Sequence, residues 1–207
     1  MSCKVKVCGI TNIDDALMAC RHGADALGFV FYEKSPRYVS PETANAIVAK
    51  LPPFVTPVAL FVDASEDCIF SVISGSARWM IQFHGEESEG QCIVFNRPYM
   101  KALRVQKGDD IVALVDQYPS ACAILLDAYK AGVPGGTGDV FDWSLVPNEL
   151  SKLIVLAGGL TASNVKQAIH QVAPYAVDVS GGVELSKGVK CEQKIRDFIK
   201  GAKCESR

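Results

Sequence analysis

Short β-branched apolar runs alternate with helix-like segments from one end of this chain to the other, and that alternation limits the fold more than any other feature. The strand-like runs are Lys4–Cys8, Ala24–Val30, Pro57–Val62, Trp79–His84, Met100–Val105, Ala121–Asp127, Leu153–Ala157 and Ala176–Ser180. Between them apolar residues recur at helical spacing, as in Ile69/Val72/Ile73, Val165/Ala168/Ile169/Val172 and Ile195/Phe198/Ile199. Thr11 ahead of Asp14, Ser40-Pro41-Glu42, Ser65-Glu66-Asp67 and Thr161 supply the hydroxyls and early carboxylates that open helices. A strand, a crossover helix and a further strand build a parallel sheet, and eight such units suggest that the sheet closes. The expected fold class is α/β, a single (β/α)8 TIM barrel domain over residues 1–207. Its loops must be short, because 207 residues lie near the lower limit for a complete barrel. A doubly wound open sheet is the competing arrangement.

Two glycine pairs sharpen this expectation. Gly158-Gly159 ends one apolar run and Gly181-Gly182 ends the next, and each opens a helix-like segment. Turns without side chains leave backbone N–H groups bare where a helix N-terminus already favours an anion. Two such turns on neighbouring strands match the phosphate cup after strands 7 and 8 of a (β/α)8 barrel.

Composition excludes several classes. A formal net charge of −2 carries no nucleic-acid footprint and no polybasic membrane patch. No apolar stretch reaches membrane-spanning length, and the N-terminal residues lead directly into a strand rather than a signal-peptide core. The eight cysteines are scattered, without a Cys-x-x-Cys pair or a zinc ligand cluster, and read as reduced core thiols (Cys20, Cys68 and Cys122 among them) of a cytoplasmic protein.

Side chains of a strand alternate between faces, so the valines of Lys4–Cys8 share one face and Lys6 and Cys8 the other. Gln82 pairs with His84 in the same way, and Asp178 with Ser180; Asp127 ends strand 6. The apolar faces must meet the helices, which leaves the polar ones facing a barrel interior usually filled with Val, Ile and Leu. Polar groups there are costly unless they meet partners, water or a ligand. All lie near the C-terminal strand ends, where barrel active sites form. Each residue also has a plain structural reading. Cys8 is either a small core filler or, last in its strand beside Gly9, a reactive thiol whose pKa Lys6 lowers from about 8.5. Asp127 either caps a turn or acts as a general acid, which requires its pKa to be raised by burial or by a carboxylate such as Asp178. Arg37, in the proline-stiffened Lys34–Tyr38 loop, is either a solvated charge or a carboxylate clamp. His84 is either an ordinary hydrogen-bonded residue or part of the site; His22 and His170 fall on helices. The Gly132–Gly138 run is a long turn or a lid.

The motifs KVCGIT (6–11), SPRYV (35–39), QFHG (82–85), LLDA (125–128), GVPGGTG with FDWS (132–144), LAGGLTASNV (156–165) and VDVSGGVE (177–184) resemble the phosphoribosylanthranilate isomerase family in order and spacing. The resemblance implies a (β/α)8 barrel enzyme of tryptophan biosynthesis. Its reaction is the Amadori rearrangement of N-(5-phosphoribosyl)anthranilate to the 1-deoxyribulose isomer, with no metal and no organic cofactor. It implies Cys8 as general base and Asp127 as general acid. Arg37 is implied to bind the substrate carboxylate, with further contacts from His84 and Asp178. Phosphate binding falls on Gly158, Gly159, Ser180 and Gly181. The family usually has Ser-Ser-Gly where this chain reads Ser180-Gly181-Gly182, which removes one hydroxyl from the cup.

The implied partner is a small phosphorylated aminoaldose, without nucleic acid or membrane, for a monomer or a homodimer. Two other readings compete. A metal-dependent phosphosugar epimerase needs several His and carboxylate ligands from different strands, and here His84 alone among the histidines falls at a strand end. A catalytically inactive phosphosugar-binding barrel would keep the cup without needing the acid and the base.

Overall fold

The computed structural model describes residues 3–128, 142–147 and 149–203. Eight parallel strands run in chain order around a closed barrel: β1 (Lys4–Cys8), β2 (Ala26–Val30), β3 (Thr56–Phe61), β4 (Met80–Phe83), β5 (Tyr99–Val105), β6 (Ala123–Ala128), β7 (Ile154–Leu156) and β8 (Ala176–Val179). β8 returns to β1, with Lys6 opposite Asp178. That pairing excludes the doubly wound open sheet. The helices α1 (Ile13–Arg21), α2 (Pro41–Val48), α3 (Glu66–Ile73), α4 (Glu89–Ile93), α5 (Ile111–Asp116), α6 (Val165–Val172) and α7 (Glu192–Lys203) occupy the crossovers and follow β8. Between β6 and β7 the described segment holds a single 3-10 turn, Trp143–Leu145. The Gly132–Gly138 run, expected as a turn or lid, lies outside the described residues.

Two helix starts differ from expectation. Ser40 and Ser65 cap α2 and α3 as their hydroxyls suggest. At α1 the cap is Asn12, whose side chain accepts from the Asp15 N–H, while the Thr11 hydroxyl donates to the Gly188 carbonyl far along the chain. At α6 the cap position is Asn164 rather than Thr161; its side chain turns back to accept from the Thr161 N–H and donate to the Gly159 carbonyl.

Strand alternation divides the core into two regions. Outward residues such as Val5, Val7, Phe29, Phe61, Ile81, Phe83 and Leu126 pack with the helices in one large cluster. Inward residues Val58, Met100, Ala102, Ala123, Leu125, Val155, Ala157 and Ala176 fill the barrel interior. Above them the inward face becomes polar, with Lys6 and Gln82 almost fully buried. A buried Lys101–Glu87 pair (2.9 Å) holds the turn after β4, where Glu87 also accepts from the Asp63 and Gly85 N–H groups.

After β8 the chain makes a 3-10 turn, Gly181–Val183, and a small antiparallel ribbon of β9 (Glu184–Ser186) and β10 (Val189–Lys190). The described cysteines are all free, but they are not all core residues. Cys3, Cys8 and Cys92 are buried, whereas Cys68 and Cys122 are exposed because they fall off the apolar stripe of α3 and at the entry to β6.

Candidate active site

Cys8 closes β1 facing inward and is buried. Lys6, two residues earlier on the same face, places Nζ 2.9 Å from Asp178 Oδ1 on the adjoining strand. Burial alone would lower the Lys6 pKa, but the Asp178 carboxylate beside it counters this, and the Lys6 pKa stands above its usual value. Lys6 is therefore an ammonium inside the barrel. The expected lowering of the Cys8 pKa does not prevail. Burial pushes the thiol up, Asp178 adds to that, and the opposing pull of Lys6 and Lys190 does not overcome them. At rest Cys8 is a thiol beside a fixed cation.

His84 follows β4 directly. Its Nδ1 lies 3.0 Å from Gln82 Nε2, and its Nε2 lies 3.5 Å from Asp127 Oδ2. With the Gln82 amide donating, Nδ1 accepts and Nε2 carries the proton toward Asp127. Asp127 stands inward near the end of β6, its Cα in register with Arg104, whose Nη2 donates to the His84 carbonyl at 2.9 Å. β4 and β6, with β5 between them, thus turn His84 and Asp127 toward the same space.

Arg37 reaches in from the loop after β2. It is not a solvated charge: its Nε and Nη2 donate to the two oxygens of Glu184, both at 2.8 Å, and only about 12% of its side chain is exposed. Lys190 completes this cluster with Nζ 2.9 Å from Glu184 Oε1, 2.5 Å from the Cys8 carbonyl and 3.4 Å from the Ser180 carbonyl. Glu184 was expected only as the last letter of a motif, and Lys190 not at all. No local pattern marks them, because their partners lie as far as 182 positions away.

The glycine pairs form the adjoining wall. Gly158 and Gly159 both have positive φ (82° and 65°), which side chains rarely adopt, and so turn the chain sharply after β7. A Cβ at Gly182 would sit 2.0 Å from the Leu160 carbonyl oxygen, so the two turns touch through bare backbone. At Gly181, where the family usually has serine, a Cβ would meet only Arg37 Nη2 at 3.4 Å. The Ser180 hydroxyl is buried without a hydrogen-bond partner, near Gly9, in a residue that borders the space between the turns.

These walls enclose a cavity of about 390 Å³ at the C-terminal end of the barrel. All nine expected residues line it: Cys8, Arg37, His84, Asp127, Gly158, Gly159, Asp178, Ser180 and Gly181. Val30, Tyr32, Leu60 and Val62 add an apolar wall. The cavity thus brings together a thiol, a carboxyl group, a guanidinium beside apolar surface, and two glycine turns.

The sequence model of the family described as PRAI, N-(5'phosphoribosyl)anthranilate (PRA) isomerase, matches residues 5–201. The chain belongs to the phosphoribosylanthranilate isomerase family. Among the isomerases of this name, the one from Marinomonas sp. (strain MWYL1) is 76% identical over 204 residues, covering 99% of this chain and all of its own. The Pseudomonas fluorescens (strain Pf0-1) isomerase is 58% identical over 94% of this chain and 95% of its own. The crystal structure of phosphoribosyl anthranilate isomerase from Thermotoga maritima superposes with a TM-score of 0.89 at 43% identity, covering 97% of this chain and 98% of that one. A phosphoribosyl anthranilate isomerase crystallised with reduced 1-(o-carboxyphenylamino)-1-deoxyribulose 5-phosphate superposes at 0.86 with 42% identity, covering the same shares.

Proposed function

We propose that this chain catalyses the isomerisation named by its family, converting N-(5-phosphoribosyl)anthranilate to 1-(2-carboxyphenylamino)-1-deoxyribulose 5-phosphate in tryptophan biosynthesis, with Cys8 and Asp127 as base and acid. The observation that carries this reading is the convergence of Cys8 and Asp127 on one cavity with an anion cup between them on the wall. The aminoaldose ring opens when Asp127 delivers a proton to the ring oxygen, giving a Schiff base. Cys8, as thiolate, then removes the C2 proton to give the enolamine, which tautomerises to the ketose. Acid and base act on different atoms of one sugar, which suits strands three steps apart around the ring. His84 orients Asp127, and Asp178 fixes Lys6, whose charge favours the thiolate. Arg37 takes the anthranilate carboxylate while Gly158, Gly159, Ser180 and Gly181 hold the phosphate. Such positioning supplies up to about 7–11 kcal/mol of barrier reduction, and each proton transfer typically contributes about 10²–10⁴-fold.

The reaction as written calls on protein side chains alone, without metal or organic cofactor. The same reading takes residues 1–207 as one barrel domain, active as a monomer or homodimer, and locates it in the cytoplasm, where a charged phosphosugar made there stays. Sedimentation would separate monomer from dimer.

Loss of the fluorescent aminoaldose, followed directly, tests the activity and separates an enzyme from an inactive phosphosugar-binding barrel. Cys8→Ala and Asp127→Asn are each expected to lower turnover by about 10²–10⁴-fold with binding largely kept. Wild-type turnover by Cys8→Ala would remove Cys8 from the role of base.

A further inference from the structure

We propose that Glu184 is the positioning residue of the carboxylate clamp, presenting one edge of Arg37 to the ligand, with Lys190 behind it keeping the cluster cationic. The inference rests on the reading of Arg37 as the group that receives the anthranilate carboxylate.

A guanidinium offers two edges for bidentate pairing, one through Nε with a terminal nitrogen and one through its two terminal nitrogens. Glu184 occupies the first edge, with Oε1 on Nε and Oε2 on Nη2. Nη1 and the second Nη2 proton form the other edge. Arg37 lines the cavity, whereas Glu184 is almost fully buried and does not line it. The glutamate therefore grips the arginine from the protein side and leaves it one route of approach to a ligand.

A buried arginine–glutamate pair has no net charge and would attract a carboxylate weakly. Lys190 changes this balance. Its side chain is fully buried, and its ammonium meets Glu184 and the Cys8 and Ser180 carbonyls, so it is committed to the protein. Burial lowers the Lys190 pKa and Glu184 opposes that; with Lys190 protonated the three groups together carry one positive charge, and Arg37 is the member that lines the cavity. Burial alone would raise the Glu184 pKa, but its bonds to Arg37 and Lys190 hold the carboxyl below the usual range, so it stays ionised at neutral pH. The ribbon β9–β10 thus links the clamp to the end of β1 that carries Cys8.

The test uses two probes. One is reduced 1-(o-carboxyphenylamino)-1-deoxyribulose 5-phosphate, and the other is its counterpart lacking the carboxyl group. Their affinities are measured on the full-length protein and on Glu184→Gln, with inorganic phosphate as a third ligand. Glu184→Gln is expected to weaken the carboxylated probe by about 10–100-fold, the size of a charge-assisted hydrogen bond, the loss of a fixed guanidinium edge outweighing the positive charge gained by removing the carboxylate. The other probe and phosphate should change by less than about threefold, within ordinary context effects. In turnover the loss should appear in KM, with kcat little changed, and Glu184→Asp should recover part of it. Equal losses for all three ligands, or no loss for any, would overturn the proposal. If the wild-type protein itself does not distinguish the two probes, the reading of Arg37 fails instead, whatever the variants do. Should Glu184→Gln not fold, Glu184→Gln/Lys190→Met removes the unpaired buried cation and carries the same expectation of a carboxylate-selective loss.

Discussion

In its proposed role as base, Cys8 joins two requirements that oppose one another. A base must lose its proton, yet burial holds this thiol protonated at rest, and only the nearby ammonium groups work against that. The catalytic rate should therefore rise with pH, because the active form is the thiolate and its population grows as the medium approaches the elevated titration point. A pH profile of kcat/KM checks this, with the ascending limb expected above the ordinary thiol value of about 8.5. Gly181 allows a test of the opposite sign. A Cβ there has no neighbour closer than 3.4 Å, so Gly181→Ser should fold normally and restore the hydroxyl usual in the family. One added hydrogen bond is worth roughly 0.5–1.5 kcal/mol, which is about two- to tenfold tighter binding of inorganic phosphate in a titration. Gly182→Ala should instead weaken phosphate binding, since its Cβ would collide with the Leu160 carbonyl.

At the scale of elements, the β9–β10 ribbon depends on a charge. The Glu184 carboxyl is depressed in the folded protein, so its stabilising contribution is present above the unfolded value of about 4.3. It is lost as pH falls through the lower folded value. The wild-type melting temperature should accordingly fall more steeply on acidification below that point than that of Glu184→Gln, which thermal unfolding at a series of pH values would show. This element also marks where reading the sequence stops working. The strands were legible because their alternation has a period of two, and the same rule placed Lys6, Cys8, Gln82, His84, Asp127 and Asp178 on the inner face. The clamp's support was not, because Arg37, Glu184 and Lys190 meet only after the chain has travelled around the barrel. One helix start failed for a related reason. Thr11 has the chemistry of a cap, but the distant Gly188 carbonyl takes its hydroxyl and leaves Asn12 to open α1. Lys6 was placed correctly and pulls the Cys8 pKa down as expected, but the net shift is upward, because the size of the burial penalty depends on packing that no local pattern records.

For the whole molecule, closure is the step on which the rest depends. β1 pairs with β2 on one side and with β8 on the other, and the Lys6–Asp178 bond crosses that last seam. The small proteins for which unfolding is all-or-none owe this to a core that no part can keep alone. A chain ending at residue 174 lacks β8, so it should show no sharp thermal transition in calorimetry and no stabilisation by inorganic phosphate. The full chain should gain about 2.7 kcal/mol at a phosphate concentration one hundred times its dissociation constant.

The seam between β1 and β8 also governs the order of events during synthesis. The strand that carries the thiol leaves the ribosome well before its neighbour Asp178 and the glycine turns, Lys6 and Asp178 being 172 positions apart. In that interval the strand has a bare edge and a lysine without its counter-ion. The barrel seam and its buried ion pair can therefore form only once β8 has been added, however early β1 was made.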